Sequence, residues 1–223
     1  MRRKSGDGVR VFNGYEGEWA ARVEVMDRRH AALNVLHQTR MQTNTPDLAV
    51  YFSPVKKTRT DFIVEKATEL GARDIVPVMM ARTIAERVKT ERLAALAREA
   101  AEQTERLDLP AIAEPIRLDR LITNAFDQRT LIFCDEAGDD ADQAWGGSSG
   151  RAHSIAEVLQ STPEETRWGV LIGPEGGFTP EERDTLRDLP NVLAVSLGPR
   201  ILRADTAVVS VLSVLQALKG DWR

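Results

Sequence analysis

The chain has 223 residues, 42% of them hydrophobic and 29% charged, with a formal net charge of −4, which suits one large domain or two small ones around a real core. No uninterrupted apolar run approaches the roughly 18 residues that a bilayer span needs, and Met1-Arg-Arg-Lys-Ser-Gly-Asp7 lacks the apolar stretch of a signal peptide. The lone Cys134 excludes an internal disulfide, fits a reducing cytoplasm, and has no cationic neighbour that would mark it as a nucleophile.

Charge is unevenly spread. Residues 1–60 hold 11 Lys and Arg against 6 Asp and Glu, a balance of +5, whereas the remainder holds 19 against 28, a balance of −9. A basic front of this kind can face a polyanion, and it can equally be ordinary solvated surface.

In chain order, Val9–Phe12 and Glu18–Met26 alternate around the turn pair Asn13-Gly14, which predicts a hairpin or meander. So little sheet is marginal alone. A polar stretch over Gln42–Pro46 reads as a linker. The pattern then changes to strands and helices in turn. Leu48–Phe52 is a predicted strand, and Asp61–Leu70 a helix closed by Gly71. Ile75–Val78 is a strand whose Pro77 suggests an edge or an end. Glu86–Arg106 is a long amphipathic helix with Leu93, Leu96, Ala97, Ala100, Ala101 and Thr104 on one side. Leu131–Cys134, Gly169–Ile172 and Val192–Leu197 are further strands, Asp139–Arg151 a mobile surface loop, and Ala204–Leu218 an apolar helix. This order predicts an α/β fold with a mainly parallel sheet.

Two late segments carry the chemistry. Gly173-Pro-Glu-Gly-Gly177 follows a strand and leads into a helix that Thr179, Pro180 and Glu182 are placed to cap. Leu197-Gly-Pro-Arg-Ile-Leu-Arg203 follows another strand and adds two arginines. Glycine loops at the carboxyl ends of neighbouring strands suit a small ligand that approaches the backbone closely, here a nucleoside-containing cofactor. The spacing matches neither a dinucleotide fingerprint nor a P-loop. Arg200 and Arg203 can grip an anion or stabilise developing negative charge, or else form salt bridges. Lys56, Lys57 and Arg59 follow a strand end and can meet phosphates or only water. At the end of the long helix, Glu99 to Arg106 reads mostly as helix-end salt bridging, and a site-facing role for Gln103 or Arg106 is the alternative. His30, His37 and His153 have no metal-ligand spacing.

Taken together, the segments Val11-Phe-Asn-Gly14, Lys56-Lys57 with Asp61–Gly71, Glu102-Gln103 with Arg106, Ile172-Gly-Pro-Glu-Gly-Gly-Phe178, and Leu197–Arg203 with Thr206 resemble the RsmE family of ribosomal RNA methyltransferases, within the SPOUT class. The resemblance runs from about Arg3 to Leu218. It departs in a front end shorter than is usual, and in Asp205 where Glu is usual.

The resemblance implies a partial PUA-like β-barrel over residues 1–45 that binds RNA. It implies a SPOUT methyltransferase domain over 46–223 with a parallel sheet and a trefoil knot at the carboxyl end. The activity implied is methyl transfer from S-adenosylmethionine to N3 of a uridine in 16S ribosomal RNA of the small ribosomal subunit, by a cytoplasmic homodimer without metal or membrane. Ile172, Gly173, Pro174, Gly176, Gly177, Leu197, Gly198, Ile201 and Leu202 would line the cofactor pocket. Arg203 and Arg200 would stabilise a uridine anion, and Glu175 would hold the loop or accept a hydrogen bond. Arg3, Lys4, Lys56, Lys57 and Arg59 would contact phosphates. A transfer RNA methyltransferase, an RNA-binding module with a dead pocket, and a nucleotide-dependent metabolic enzyme are the competing functions.

Overall fold

Two alternating segments joined by a short polar turn start the chain, and the turn chemistry dictates how they pair. Asn13 Oδ1 accepts from the backbone N–H groups of Tyr15 and Glu16, each at 3.0 Å, so the chain reverses at once. The computed structural model describes residues 3–26, 30–85, 87–163 and 167–222. They divide into two units: residues 1–44 with 101–109, and residues 45–100 with 110–223.

In the first unit, β1 (Gly8–Phe12), β2 (Glu18–Met26) and β3 (Ala31–Arg40) form an antiparallel sheet in the order β1-β2-β3. Val11 faces Trp19, and Ala21 faces Val35. Ala21 and Val23 are buried, whereas Leu33, Val35 and Leu36 of β3 stay exposed. The barrel implied at this end is represented, among the described residues, by an open three-stranded meander. Glu18 is buried, accepting from Arg40 Nη2 at 2.9 Å and Thr39 Oγ1 at 2.7 Å. Hydrogen bonds from Arg40 and Thr39 hold its carboxyl below the usual range, although burial opposes them. Arg106, at the helix end in this unit, is paired with Asp108 at 2.8 Å.

The second unit is built on a parallel sheet. Its strands are β4 (Leu48–Phe52), β5 (Asp74–Met79), β6 (Ala111–Ile112), β7 (Ile116–Arg117), β8 (Thr130–Cys134), β9 (Trp168–Ile172) and β10 (Val192–Val195). The order is β10-β8-β9-β4-β5-β6, with β7 also on β5. Every ladder is parallel, with Leu48 beside Trp168 and Leu131 beside Gly169. Pro77 falls between the short β6 and β7 ladders on its strand, which is where a residue lacking an N–H does least harm.

Helices cover both faces: α1 (Lys57–Glu69), α2 (Thr90–Gln103), α3 (Leu118–Thr123), α4 (Ile155–Ser161), α5 (Pro180–Arg187) and α6 (Ala204–Lys219). Strand periodicity splits the core in two. Leu48, Val50 and Phe52 join Ile63 of α1 and Val208 and Leu212 of α6 on one face. Ala49 and Tyr51 join Leu121 of α3 and Leu186 of α5 on the other. Glu86, expected inside the long helix, lies outside the described residues, and α2 itself starts only at Thr90. Among the described residues no helix is long and apolar enough to cross a membrane.

Candidate active site

The carboxyl ends of β8 and β9 open into a cleft of about 980 Å³. Its floor includes Cys134, Ile172, Leu202 and Ala207, the ends of two strands and the start of α6. From the first expected loop, Gly173, Pro174, Glu175, Gly176 and Gly177 line it. From the second, Ile201, Leu202 and Arg203 do. Leu197, Gly198 and Arg200 do not line this cleft. Leu197 packs against the core instead, and Arg200 is exposed.

The first loop is held from three sides. Arg82 Nη1 donates to the carbonyls of Gly176 at 2.9 Å and Phe178 at 3.2 Å. The Phe178 ring meets Phe133 edge-on, with centroids 4.8 Å apart. Gly173 makes this fold-back feasible, because a Cβ there would sit 2.4 Å from the Phe178 ring. The glycine therefore serves the loop's own packing, not only ligand approach. Thr179 caps α5: its Oγ1 accepts from Glu182 N–H and Glu182 answers through Thr179 N–H, with Pro180 at the first turn, as expected.

The second loop hangs on Glu136, which accepts from Leu197 N–H at 2.8 Å. Burial pushes the Glu136 carboxyl up, against the hydrogen bonds from Leu197 and Ser196 that favour its charged form. Gly198 follows at φ +121°, where a Cβ would touch nothing within 4 Å, so backbone geometry alone requires glycine there.

A third segment, unforeseen as part of the site, also lines the cleft. The stretch Asp139–Arg151, expected to be a mobile surface loop, is tied to α5 together with the residues just before it. Arg183 Nε donates to buried Asp135 at 2.9 Å, its Nη1 to Gly138 O at 2.9 Å, and its Nη2 to Ala137 O at 2.9 Å. Arg187 reaches Asp135, Asp139 and Gly150 O. Trp145 on this segment lines the cleft beside Gly177. Cys134 is buried, and burial pushes its thiol far up, with Glu136 and Asp135 adding to the effect.

Arg59, expected to contact phosphates, is engaged with carboxylates of the chain itself. It lies in the cleft, ion-paired with Glu175, and its Nε is 3.8 Å from Asp205. Lys56 and Lys57 are exposed on the same unit, and Arg3 and Lys4 are exposed on the other. Arg203 sits at the amino end of α6, exposed into the cleft, with its carbonyl accepting from Ala207 N–H at 2.8 Å. Among the described residues no group of three or more His, Cys, Asp or Glu could hold a metal ion.

A profile of the RNA methyltransferase domain matches residues 42–216. The chain belongs to this RNA methyltransferase family. The match takes in both glycine loops, the segment over 137–150, and α6 almost to its end. The ribosomal RNA small subunit methyltransferase E of Rickettsia conorii is 27% identical over 218 residues, 98% of this chain and 84% of that one. The protein of the same name from Bacillus subtilis is 26% identical over 234 residues, 99% of this chain and 87% of its own length. Among solved structures, a Legionella pneumophila methyltransferase in complex with bound SAM is 25% identical with a TM-score of 0.82, covering 98% of this chain and 86% of that one. With these family relatives, the parallel sheet is a SPOUT-like methyltransferase core.

Proposed function

We propose that this chain transfers the methyl group of S-adenosylmethionine to N3 of a uridine in 16S ribosomal RNA of the small ribosomal subunit. One observation carries the reading: the first glycine loop, at Gly173–Gly177, and the end of the second segment, at Ile201–Arg203, line one cleft inside the family-matched region. Its size suits a nucleoside cofactor. An apolar floor at Ile172, Leu202 and Ala207, main chain lining the cleft at Gly176 and Gly177, and a charged rim fit an adenosine bearing a charged tail.

The bound cofactor supplies an electrophilic methyl carbon. The chain's own residues must then orient it and favour the deprotonated uridine. Arg203, at the positive end of α6, is placed to stabilise negative charge developing on the pyrimidine oxygens. Glu136 holds the second loop in position through Leu197 N–H. The segment carrying Trp145 closes one side of the cleft and limits water there.

The amino-terminal meander is part of a PUA-like barrel, and exposed Arg3 and Lys4 there, with Lys56 and Lys57, contact phosphates. The β10-β8-β9 order and the packing of α6 on α1 support a trefoil-knotted carboxyl end. Exposed Ile201, next to the cleft, supports a second copy docking near it in a cytoplasmic homodimer. The test is methyl incorporation from labelled donor into 16S ribosomal RNA and assembled small subunits, with mass mapping of the modified uridine. Incorporation into transfer RNA alone would overturn the substrate, and no incorporation with retained RNA binding would overturn the activity.

A further inference from the structure

Arg59 lines the cleft and lies between two carboxylates, of which Glu175 also lines it. Its Nη1 donates to Glu175 Oε1, and its Nε lies 3.8 Å from Asp205 Oδ2. The three side chains come from the first turn of α1, the first glycine loop and the first turn of α6. All three are partly exposed, at 31%, 28% and 22%. Among the described residues, Arg59 Nη2 has no protein partner. Glu175 likewise has none besides Arg59.

A guanidinium flanked in this way is a poor phosphate site. Both neighbouring carboxylates repel a polyanion, and the cleft as a whole is lined by five arginines and six carboxylates, giving no excess of positive charge. A zwitterion answers the pattern better. Its carboxylate can take the spare edge of the Arg59 fork, and its ammonium can take Glu175.

We infer that Arg59 and Glu175, buttressed by Asp205, form the subsite for an α-amino-acid tail, namely the methionyl end of the methyl donor. This rests on the cofactor reading above. The triad carries one positive and two negative charges. The donor carries a sulfonium and an ammonium against one carboxylate, so the two sets are opposite in net sign. Glu175 is thus a tail-binding residue, and its pairing with Arg59 holds both side chains in place before the ligand arrives.

The experiment compares S-adenosylhomocysteine with 5′-methylthioadenosine, which has the same thioether nucleoside but no amino-acid tail, by calorimetry on the full chain. Arg59→Gln and Glu175→Gln should each weaken S-adenosylhomocysteine about tenfold or more while changing 5′-methylthioadenosine less than about twofold. Arg59→Lys, which keeps the charge and loses the fork, should fall between the parent and Arg59→Gln for the tailed ligand only. Equal losses for both ligands would mean that Arg59 merely shapes the loop, and would overturn the inference. Unchanged affinity for both ligands with weakened binding of a 16S-derived oligonucleotide would make Arg59 a phosphate contact, and would also overturn it. A parent protein that binds neither nucleoside would instead sink the cofactor reading itself.

Discussion

Replacing Asp135 with alanine should be among the most damaging single changes in the second unit. The carboxylate is 2% exposed and accepts from Arg183 Nε and Arg187 Nε, each at 2.9 Å. Arg183 is itself only 12% exposed, so the change removes the buried partner of a largely buried cation. Removing one partner of such a pair costs about 3–5 kcal/mol. Arg183 keeps the carbonyls of Gly138 and Ala137 and the side chain of Asp139, which places its loss near the lower end. Arg187 is 26% exposed and recovers water, adding about 0–1 kcal/mol. The total is about 3–4 kcal/mol. At about 2 kcal/mol per molar urea, the midpoint should fall by about 1.5–2 M with an unchanged slope. Asp135→Asn keeps one acceptor and should lose about half as much. Because the same arginines tie down residues 137–150, donor affinity should fall in parallel. A loss below about 1 kcal/mol, or stability lost with donor affinity intact, would refute the reasoning.

Arg203→Ala should lower single-turnover methylation by about a hundredfold while leaving donor affinity by calorimetry nearly unchanged, and equal turnover would remove Arg203 from charge stabilisation. Gly173→Ala should destabilise by about 1–3 kcal/mol and disturb the near-ultraviolet signal of the Phe178–Phe133 pair, because the added methyl overlaps the Phe178 ring. Gly198→Ala meets no neighbour and should cost only backbone strain of about 1–2 kcal/mol. If the two alanine variants melted alike with unchanged aromatic signals, the close-approach argument would fail. The Glu18 carboxyl is held low in the folded chain. Its contribution is therefore full above its unfolded pKa of about 4.3 and is lost as pH falls through the folded value. Glu136 has the opposite sign, since burial raises it and its ionisation on going up in pH costs stability. Glu18→Gln should flatten the acid limb of a stability profile, measured by urea melts across pH 3–6, and an unaltered limb would contradict this.

The elements legible in the sequence are those whose faces are buried. Leu48–Phe52 is apolar on both faces and emerges with the expected bounds, and the Thr179–Glu182 cap fixes the start of α5. The strand Ala31–Arg40 gave no comparable signal, because nearly every side chain on it is exposed and no face had to be apolar. The two-residue β6 and β7 are too short for periodicity to exist. Helix α4 was within reach: Ser154 and Glu157 form a capping box spelled out by their spacing. In the site, the glycine loops carried their own signature, while Asp135 and Glu136 did not. Two acids directly after an apolar strand, with Arg183 and Arg187 one helical turn apart, were the available hint. Arg82 and the Arg59–Glu175–Asp205 triad depend on residues brought together from distant segments, which no local pattern announces.

The solitary thiol at the end of β8 has a practical consequence. Cys134 is 8% exposed, and its thiolate is strongly disfavoured in the folded chain. An alkylating reagent should therefore react at a rate set by how often the central sheet parts, not by surface chemistry. Timed quenching and mass spectrometry then turn this one sulfur into a stopwatch for opening. Because Cys134 also lies on the floor of the cleft, a ligand seated there would slow the clock, and the retardation would report occupancy with no dye or tag.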